Sequence, residues 1–341
     1  MRASKPAKRA KPAAKRAKPA TIKRAKPPAK RAKPAAKPAK RAPKRAASSP
    51  ALSAVARLYR GQTPAVVDGD PPTLVFRGSA PDHWHLISDG IRNSFEDPAK
   101  GTELTFRVPR GPSEQAPPEW AIRFFRKVTA HFLYASSGFF EGHHLEITGA
   151  VDGLPYAIGV RDPGLHRPGG VEFVQLVGVT ADELAAIMDW DCRKFARILL
   201  QANPTGLTEQ GRASVLDVPA RRAEIAAATA RDGASMDSVY VSDLAWAATD
   251  GRIQIKLTEQ ARGALQRMLR GRSLHQRAFF VSSFHDGATL YVDPAPAPGF
   301  EIVDGAPHLK VDATSAQRMI ADLAEARTRY AWPGVELEFA S

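Results

Sequence analysis

Apolar positions along residues 51–341 change their spacing several times, and each spacing predicts an element. Val171–Val179 is a near-continuous apolar run rich in β-branched residues, which reads as a buried strand ended by Gly178. Thr180 and Glu183 follow as a capping box, so a helix is predicted over Ala181–Met188. Trp120, Phe124, Phe125, Val128, Phe132 and Leu133 recur at spacings of one, three or four. They predict an amphipathic helix opened by Pro117-Pro118 and ended by Gly138. Glu103–Val108 alternates like a half-buried strand, and Thr73–Phe76, Trp84–Ser88, Leu145–Thr148 and Tyr156–Val160 read as further strands. Short helices are expected over Ala51–Tyr59, Cys192–Gln201 and Ala220–Arg231, the last opened by Pro219 and closed by Gly233.

A cluster of Gly, Ala, Ser and Asp at Asp232–Ser238 marks a boundary, and a second set of elements follows. Strands are predicted at Val239–Leu244, Arg252–Leu257, Ala278–Phe284, Thr289–Val292 and Val335–Phe339. Helices are predicted at Glu259–Leu269 and Ser315–Arg327, with Thr314 and Gln317 as a second capping box. Asp293–Gly299, DPAPAPG, reads as a stiff exposed loop. The irregular order of strands and helices points to an α+β fold. Two mixed α/β-sheet domains in series, residues 51–233 and 238–341, are preceded by a tail of different composition, residues 1–50.

Charge separates that tail from the rest. The formal net charge is +14, yet residues 1–50 hold 19 of the 49 Lys and Arg and no Asp or Glu, so residues 51–341 are net acidic. The tail repeats Lys, Arg, Ala and Pro in units such as AKRAKPA, with nine prolines and no aromatic residue. It lacks the apolar content of a core, so a disordered, extended segment is predicted, similar in composition to a linker-histone tail. Closely spaced cations neutralise phosphates and release counterions. The pairs Lys8-Arg9, Lys15-Arg16, Lys23-Arg24, Lys30-Arg31, Lys40-Arg41 and Lys44-Arg45 are therefore candidates for nonspecific contact with DNA or another polyanion. Other readings of the tail are a solubilising extension and contact with an anionic membrane surface. Without aromatic residues the tail cannot stack on bases, so neither sequence readout nor single-strand preference is expected.

The single cysteine, Cys192, excludes an internal disulfide and fits a reducing compartment. No apolar run reaches the length of a membrane span, and no secretory signal is recognisable, so a cytoplasmic protein is expected. His83 and His85 flank Trp84 on a strand, and His143 and His144 are adjacent; with Asp89, Asp162 or Asp191 they could hold Zn²⁺ in a hydrolase. The competing reading has His83 and His85 beside a buried Trp84, bonded to backbone. H-E-x-x-H, C-x-x-C, G-x-S-x-G, G-x-G-x-x-G and Walker sequences do not occur, which argues against hydrolytic and nucleotide chemistry, so no metal or cofactor is expected. Asp189 and Asp191 beside Cys192 disfavour a thiolate. In Leu269–Arg277, LRGRSLHQR, Arg270, Arg272 and Arg277 surround His275. They form either a helix end favoured by its dipole or a set of donors for carboxylate or phosphate.

Five stretches together carry a resemblance: PDHWHLISDGI (Pro81–Ile91), ELTFRVPR (Glu103–Arg110), APPEWAIRFFRKV (Ala116–Val128), VEFVQLVGVTADEL (Val171–Leu184) and LRGRSLHQRAFF (Leu269–Phe280). Their order and spacing resemble the Suppressor of fused family over roughly residues 51–341. The resemblance implies a non-enzymatic, protein-binding scaffold in which a partner segment is clamped between two domains as an added strand. It implies partner-binding roles for His131, His143 and Arg161, and for Leu269, Arg270, Arg272, Leu274 and His275. His143 and Arg161 stand where animal members have carboxylates, so a more acidic partner is expected. The long acidic insertion of the animal second domain is missing between Leu244 and Arg252. Bacterial members look like immunity proteins that cover a toxin, which makes an unidentified toxin or regulator the expected partner. The alternative is a nucleoid-associated protein whose basic tail is the active part.

Overall fold

The computed structural model describes residues 50–95, 101–134, 138–165, 171–249 and 251–340. All the tail cations named above, Lys8 to Arg45, lie outside the described residues. The fold is α+β, with one seven-stranded sheet in the N-terminal part and a four-stranded and a five-stranded sheet in the C-terminal part.

The seven strands are β1 (Ala65–Val67), β2 (Thr73–Gly78), β3 (His83–Ser88), β4 (Thr102–Pro109), β5 (His144–Glu146), β6 (Tyr156–Arg161) and β7 (Glu172–Val179). Their order is β1-β2-β3-β4-β7-β6-β5, which leaves β1 and β5 as edges. Only β4 and β7 pair in parallel. The helix α2 (Glu119–Tyr134) lies over one face, where Trp84, Leu86, Leu104, Phe106, Val108, Val174 and Leu176 meet Phe124, Phe125 and Val128 in one core. The other face is covered by α1 (Pro50–Val55), α3 (Ala181–Asp189), α4 (Cys192–Ala202) and α5 (Pro219–Asp232), with two further apolar clusters.

Several expectations needed correction. The helix expected over Ala51–Tyr59 is helical only to Val55, and Tyr59 leaves it to stack on Phe76 at 4.7 Å. The strand expected over Val171–Val179 is present as Glu172–Val179, with Gly178 inside it and not at its end. A Cβ at Gly178 would come within 2.8 Å of Leu154 and 2.9 Å of Thr208, so this glycine permits close packing. Strand β4 is not half-buried: seven of its eight residues are buried, because its polar side chains find buried partners, Thr102 the Phe139 carbonyl, Glu103 the Ser88 hydroxyl, and Thr105 and Arg107 the Asp162 carboxylate. The capping box Thr180–Glu183 is present as expected.

In the C-terminal part the strands are β8 (Ser238–Val241), β9 (Leu244–Thr249), β10 (Arg252–Thr258), β11 (Phe279–Ser283), β12 (Thr289–Pro294), β13 (Gly299–Val303), β14 (Ala306–Val311), β15 (Arg329–Trp332) and β16 (Val335–Ala340). They form the sheets β15-β16-β10-β9 and β13-β14-β12-β11-β8. One core draws on the inner faces of both sheets and on α6 (Ala261–Gly271) and α7 (Ala313–Ala324). The strand expected over Val239–Leu244 is two strands in different sheets: β8 stops at Val241 and Leu244 opens β9. The hairpin β13-β14 follows the DPAPAPG loop and was not predicted from the sequence. Helix α7 is capped by Asp312, which accepts the Ser315 amide at 2.6 Å, and not by Thr314 with Gln317.

Candidate partner-binding site

Strand β5 is only three residues long and terminates the N-terminal sheet, so it offers an open edge to an added strand. Beside it runs a groove of about 430 Å³, floored by Phe124, Val128, Phe132, Leu145 and Ile147 and bordered by Lys127, His131, Glu146 and Thr148. The amphipathic spacing of α2 explains the arrangement: its apolar residues enter the core and its polar ones line the outside. Lys127 and His131 lie four apart on that outer face, and Arg123 and Arg126 extend it into a neighbouring hollow with Asp70 and Glu119. Arg123 pairs with Glu119 at 3.2 Å, an exposed contact of little energetic weight. Thr148 donates to Glu146 at 3.0 Å.

The expected contact residues fall into three places. His131 is exposed on the groove wall. His143 and Arg161 gather around Glu141 at the far end of β5: the Arg161 guanidinium pairs with the Glu141 carboxylate at 3.2 Å, and Arg193 of α4 donates to the Glu141 carbonyl at 3.4 Å. His143 packs edge-on to Phe139 and Phe140, and burial together with the Arg193 charge lowers its pKa. Arg193 carries charge to this corner and was missed in the sequence, where it reads as one more helix-surface cation.

The third place is the junction of the two parts. Leu269 is fully buried in the C-terminal core, so its side chain packs there and lines no groove; Leu274 packs partly against the same core. Arg272 donates to the carbonyls of Ala278, Ala234 and Ser235 at 2.7, 3.2 and 3.3 Å, and Arg277 reaches the Ala234 carbonyl at 3.5 Å. These arginines fasten the connector instead of crowning a solvated helix end. Arg267 pairs with Asp189 at 3.2 Å across the same junction. Arg270 and His275 line a cavity of about 450 Å³ there, with Leu216, Arg222 and Ile225. His131, at the groove beside β5, does not line this cavity.

The histidine pairs are also apart. His83 and His85 share one sheet face, with ring centroids 6.2 Å apart, and Trp84 points to the α2 side. His83 donates from Nδ1 to the Pro81 carbonyl at 2.8 Å, as the backbone-bonded reading expects. His85 differs: its partners are side chains, the Tyr59 hydroxyl at 2.7 Å on Nδ1 and Asp162 at 3.3 Å from Nε2. Burial, then the Arg107 charge, pushes the His85 pKa down to about 4, and burial pushes the Tyr59 hydroxyl up to about 12. With imidazole neutral and phenol protonated, the hydroxyl donates to Nδ1 and the Nε2 proton faces Asp162.

Asp162 is fully enclosed, and burial alone would raise its pKa. His85, Arg107 and Thr105 outweigh burial and hold it below the usual carboxylate range. The Arg107 guanidinium lies 2.7 Å from Asp162, donates to Gln175, and reaches the Thr205 carbonyl at 3.3 Å. This buried network ties β3, β4 and β7 to Asp162, just past the end of β6. Burial first, then Asp191, pushes the Cys192 thiol up to about 12, so it is no thiolate. Among the described residues, no group of three or more His, Cys, Asp or Glu side chains could hold a metal ion, and no helix is long and apolar enough to cross a membrane.

Comparison with known proteins bears on the same region. The sequence profile of the family described as Suppressor of fused protein matches residues 71–213, which contain the groove, the Glu141 corner and the buried network apart from Tyr59. The human and mouse Suppressor of fused homologs are each 27% identical over 139 residues, 35% of this chain. The chain spans 29% of the length of these curated relatives. The crystal structure of Drosophila Suppressor of Fused superposes with a TM-score of 0.67 at 16% identity, over 86% of this chain and 97% of that one. That likeness extends the shared fold into the C-terminal part.

Proposed function

We propose that this protein is a non-enzymatic, cytoplasmic scaffold of two domains, residues 51–233 and 238–341. It captures an extended, acidic segment of a partner protein along β5. The observation that carries this reading is the pairing of an open strand edge with an apolar groove whose helix wall is cationic. Backbone groups of β5 supply sequence-independent hydrogen bonds, and alternate partner side chains enter the Phe132–Leu145 floor. Lys127, Arg126 and His131 meet the other set of side chains, and Arg161 with Arg193 outnumbers Glu141 at the end of the strand. A carboxylate-rich segment therefore suits this wall better than a basic one. The groove is formed by N-terminal residues; Arg270 and His275 serve as a separate contact at the junction cavity. An immunity-type or regulatory role follows if the captured segment belongs to a toxin or an effector. The basic tail adds nonspecific contact with DNA, supported by its 19 cations without a counter-charge.

The test uses full-length protein and fluorescence anisotropy with extended peptides that alternate apolar residues with Asp or Glu, their Lys-substituted counterparts, and duplex DNA. Acidic peptides bind, and Lys127→Glu with His131→Glu weakens them about tenfold or more. Binding of DNA alone, with no peptide bound at millimolar concentration, overturns the scaffold reading in favour of a DNA-binding protein.

A further inference from the structure

The two C-terminal sheets turn opposite kinds of surface to solvent. The four-stranded sheet is paved with paired charges: Arg252 with Glu336, and Lys256 and Arg329 with Glu338. The five-stranded sheet is aromatic. Tyr240 of β8, Phe280 of β11, Tyr291 of β12 and His308 of β14 form a row across four adjacent strands, with centroid steps of 6.3, 6.0 and 4.5 Å. Phe284 stacks on Tyr240 at 5.3 Å. Tyr240 is 56% exposed and Phe284 70%. The opposite face of this sheet carries Val239, Phe279, Val281, Leu290 and Val292 into the core with α6 and α7, so the aromatic row is an uncovered second face. A contiguous exposed aromatic surface marks a contact site. Acidic side chains border it: Asp243 at the β8 end, 3.3 Å from His285, and at the other end Asp293 and Glu301, where Lys310 pairs with both and His308 lies 2.7 Å from Asp293, so the three carboxylates outnumber the one lysine.

We propose that this face docks the chain's own basic, proline-rich segment within residues 1–49. The chemistries are complementary. The segment offers prolines and lysines with no acidic and no aromatic residue, and the face offers rings with acidic borders. Proline-rich chains lie on aromatic-lined surfaces as preformed extended helices, and ammonium groups favour ring faces. The row from Tyr240 to His308 crosses three strand spacings, ~14 Å at ~4.8 Å each, a length that about five residues of polyproline helix cover at ~3.1 Å per residue. Reach imposes no limit, because a segment this long extends to ~160 Å at ~3.3 Å per residue. Tethering also places it at roughly millimolar effective concentration, so weak docking is populated. A second copy on this face would set like borders against each other, and phosphates would meet the same carboxylates.

The experiment follows trypsin cleavage of the tail in the full-length chain, with circular dichroism melting as the control for folding. Tyr240→Ser with Phe284→Ser speeds cleavage within residues 1–49 about fivefold or more at low salt, and the difference shrinks as salt is raised. The single variant Phe284→Ser carries the same test at the most exposed ring, with the smallest demand on the fold. Equal cleavage rates in folded variants overturn the proposal. So does a wild-type dimer in sedimentation that the variants dissociate, which assigns the face to a second copy. Tighter duplex DNA binding by the variants supports it, since cations held on the face are withheld from phosphate.

Discussion

Arg107 and Asp162 meet at 2.7 Å on the face of the N-terminal sheet turned away from α2, and both side chains are buried. Neither could stay there alone. Removing one partner of such a pair leaves the other as an uncompensated buried charge. Arg107→Met is expected to cost about 3–5 kcal/mol in unfolding free energy, read from urea denaturation. A loss under 1 kcal/mol would mean that the network is not closed to water.

Glu103 gives the same face a pH signature. It accepts the Ser88 hydroxyl at 2.5 Å and the amides of Gly90, Ile91 and Arg92, and burial pushes its pKa up to about 7. Its contribution is therefore complete below about pH 4.5 and is lost as pH rises to about 7. His85 works in the other direction: with its folded pKa near 4, its contribution is present above pH 6.5 and is lost as pH falls. The two oppose each other between pH 4.5 and 6.5. Glu103→Gln is expected to make stability climb more steeply with pH across that window, measured as urea midpoints. An unchanged slope would contradict the burial assigned to Glu103.

Gly233 is the tightest point of the connector. Its φ is +66°, and a Cβ there would run into the Gly271 carbonyl and the His275 ring. Gly233→Ala is expected to cost about 1–3 kcal/mol and to separate the melting of the two parts in calorimetry. A single unshifted transition would show that the junction is looser than its contacts imply.

The tail has its own test. Gel shifts with duplex DNA at 50 and 200 mM salt should differ in affinity by roughly 10³–10⁵ if ~6–10 phosphates are contacted. Replacing Lys8, Arg9, Lys15, Arg16, Lys23 and Arg24 by Gln should flatten that dependence. Salt-insensitive binding would place DNA recognition elsewhere.

Much of the fold was legible because its elements obey simple periods. The spacing of Phe124, Val128 and Phe132 fixed α2, and Thr180 with Glu183 fixed the start of α3. Strand β4 was misjudged because alternation signals two different environments. It cannot say that the second is another core, and Arg107 and Thr105 found buried partners far away in sequence, Asp162 just past β6 and Gln175 in β7. The hairpin β13-β14 escaped because GFEIV is short and flanked by Pro and Asp. At the candidate site, His131, His143 and Arg161 lie near one edge strand, apart from the junction residues Arg270 and His275 with which the resemblance grouped them. Leu269 entered the core, because its helical spacing could serve a core or a groove and only packing decides. Lys127 was readable four residues before His131 but carried no mark in one dimension.

Capture of an acidic strand at β5 is tested most directly by hydrogen exchange on the full-length chain, with and without a saturating acidic, alternating peptide. Protection should rise over residues 143–148 and along the exposed side of the α2 segment that carries Lys127 and His131. Protection confined to the C-terminal sheets, or none anywhere, would contradict it.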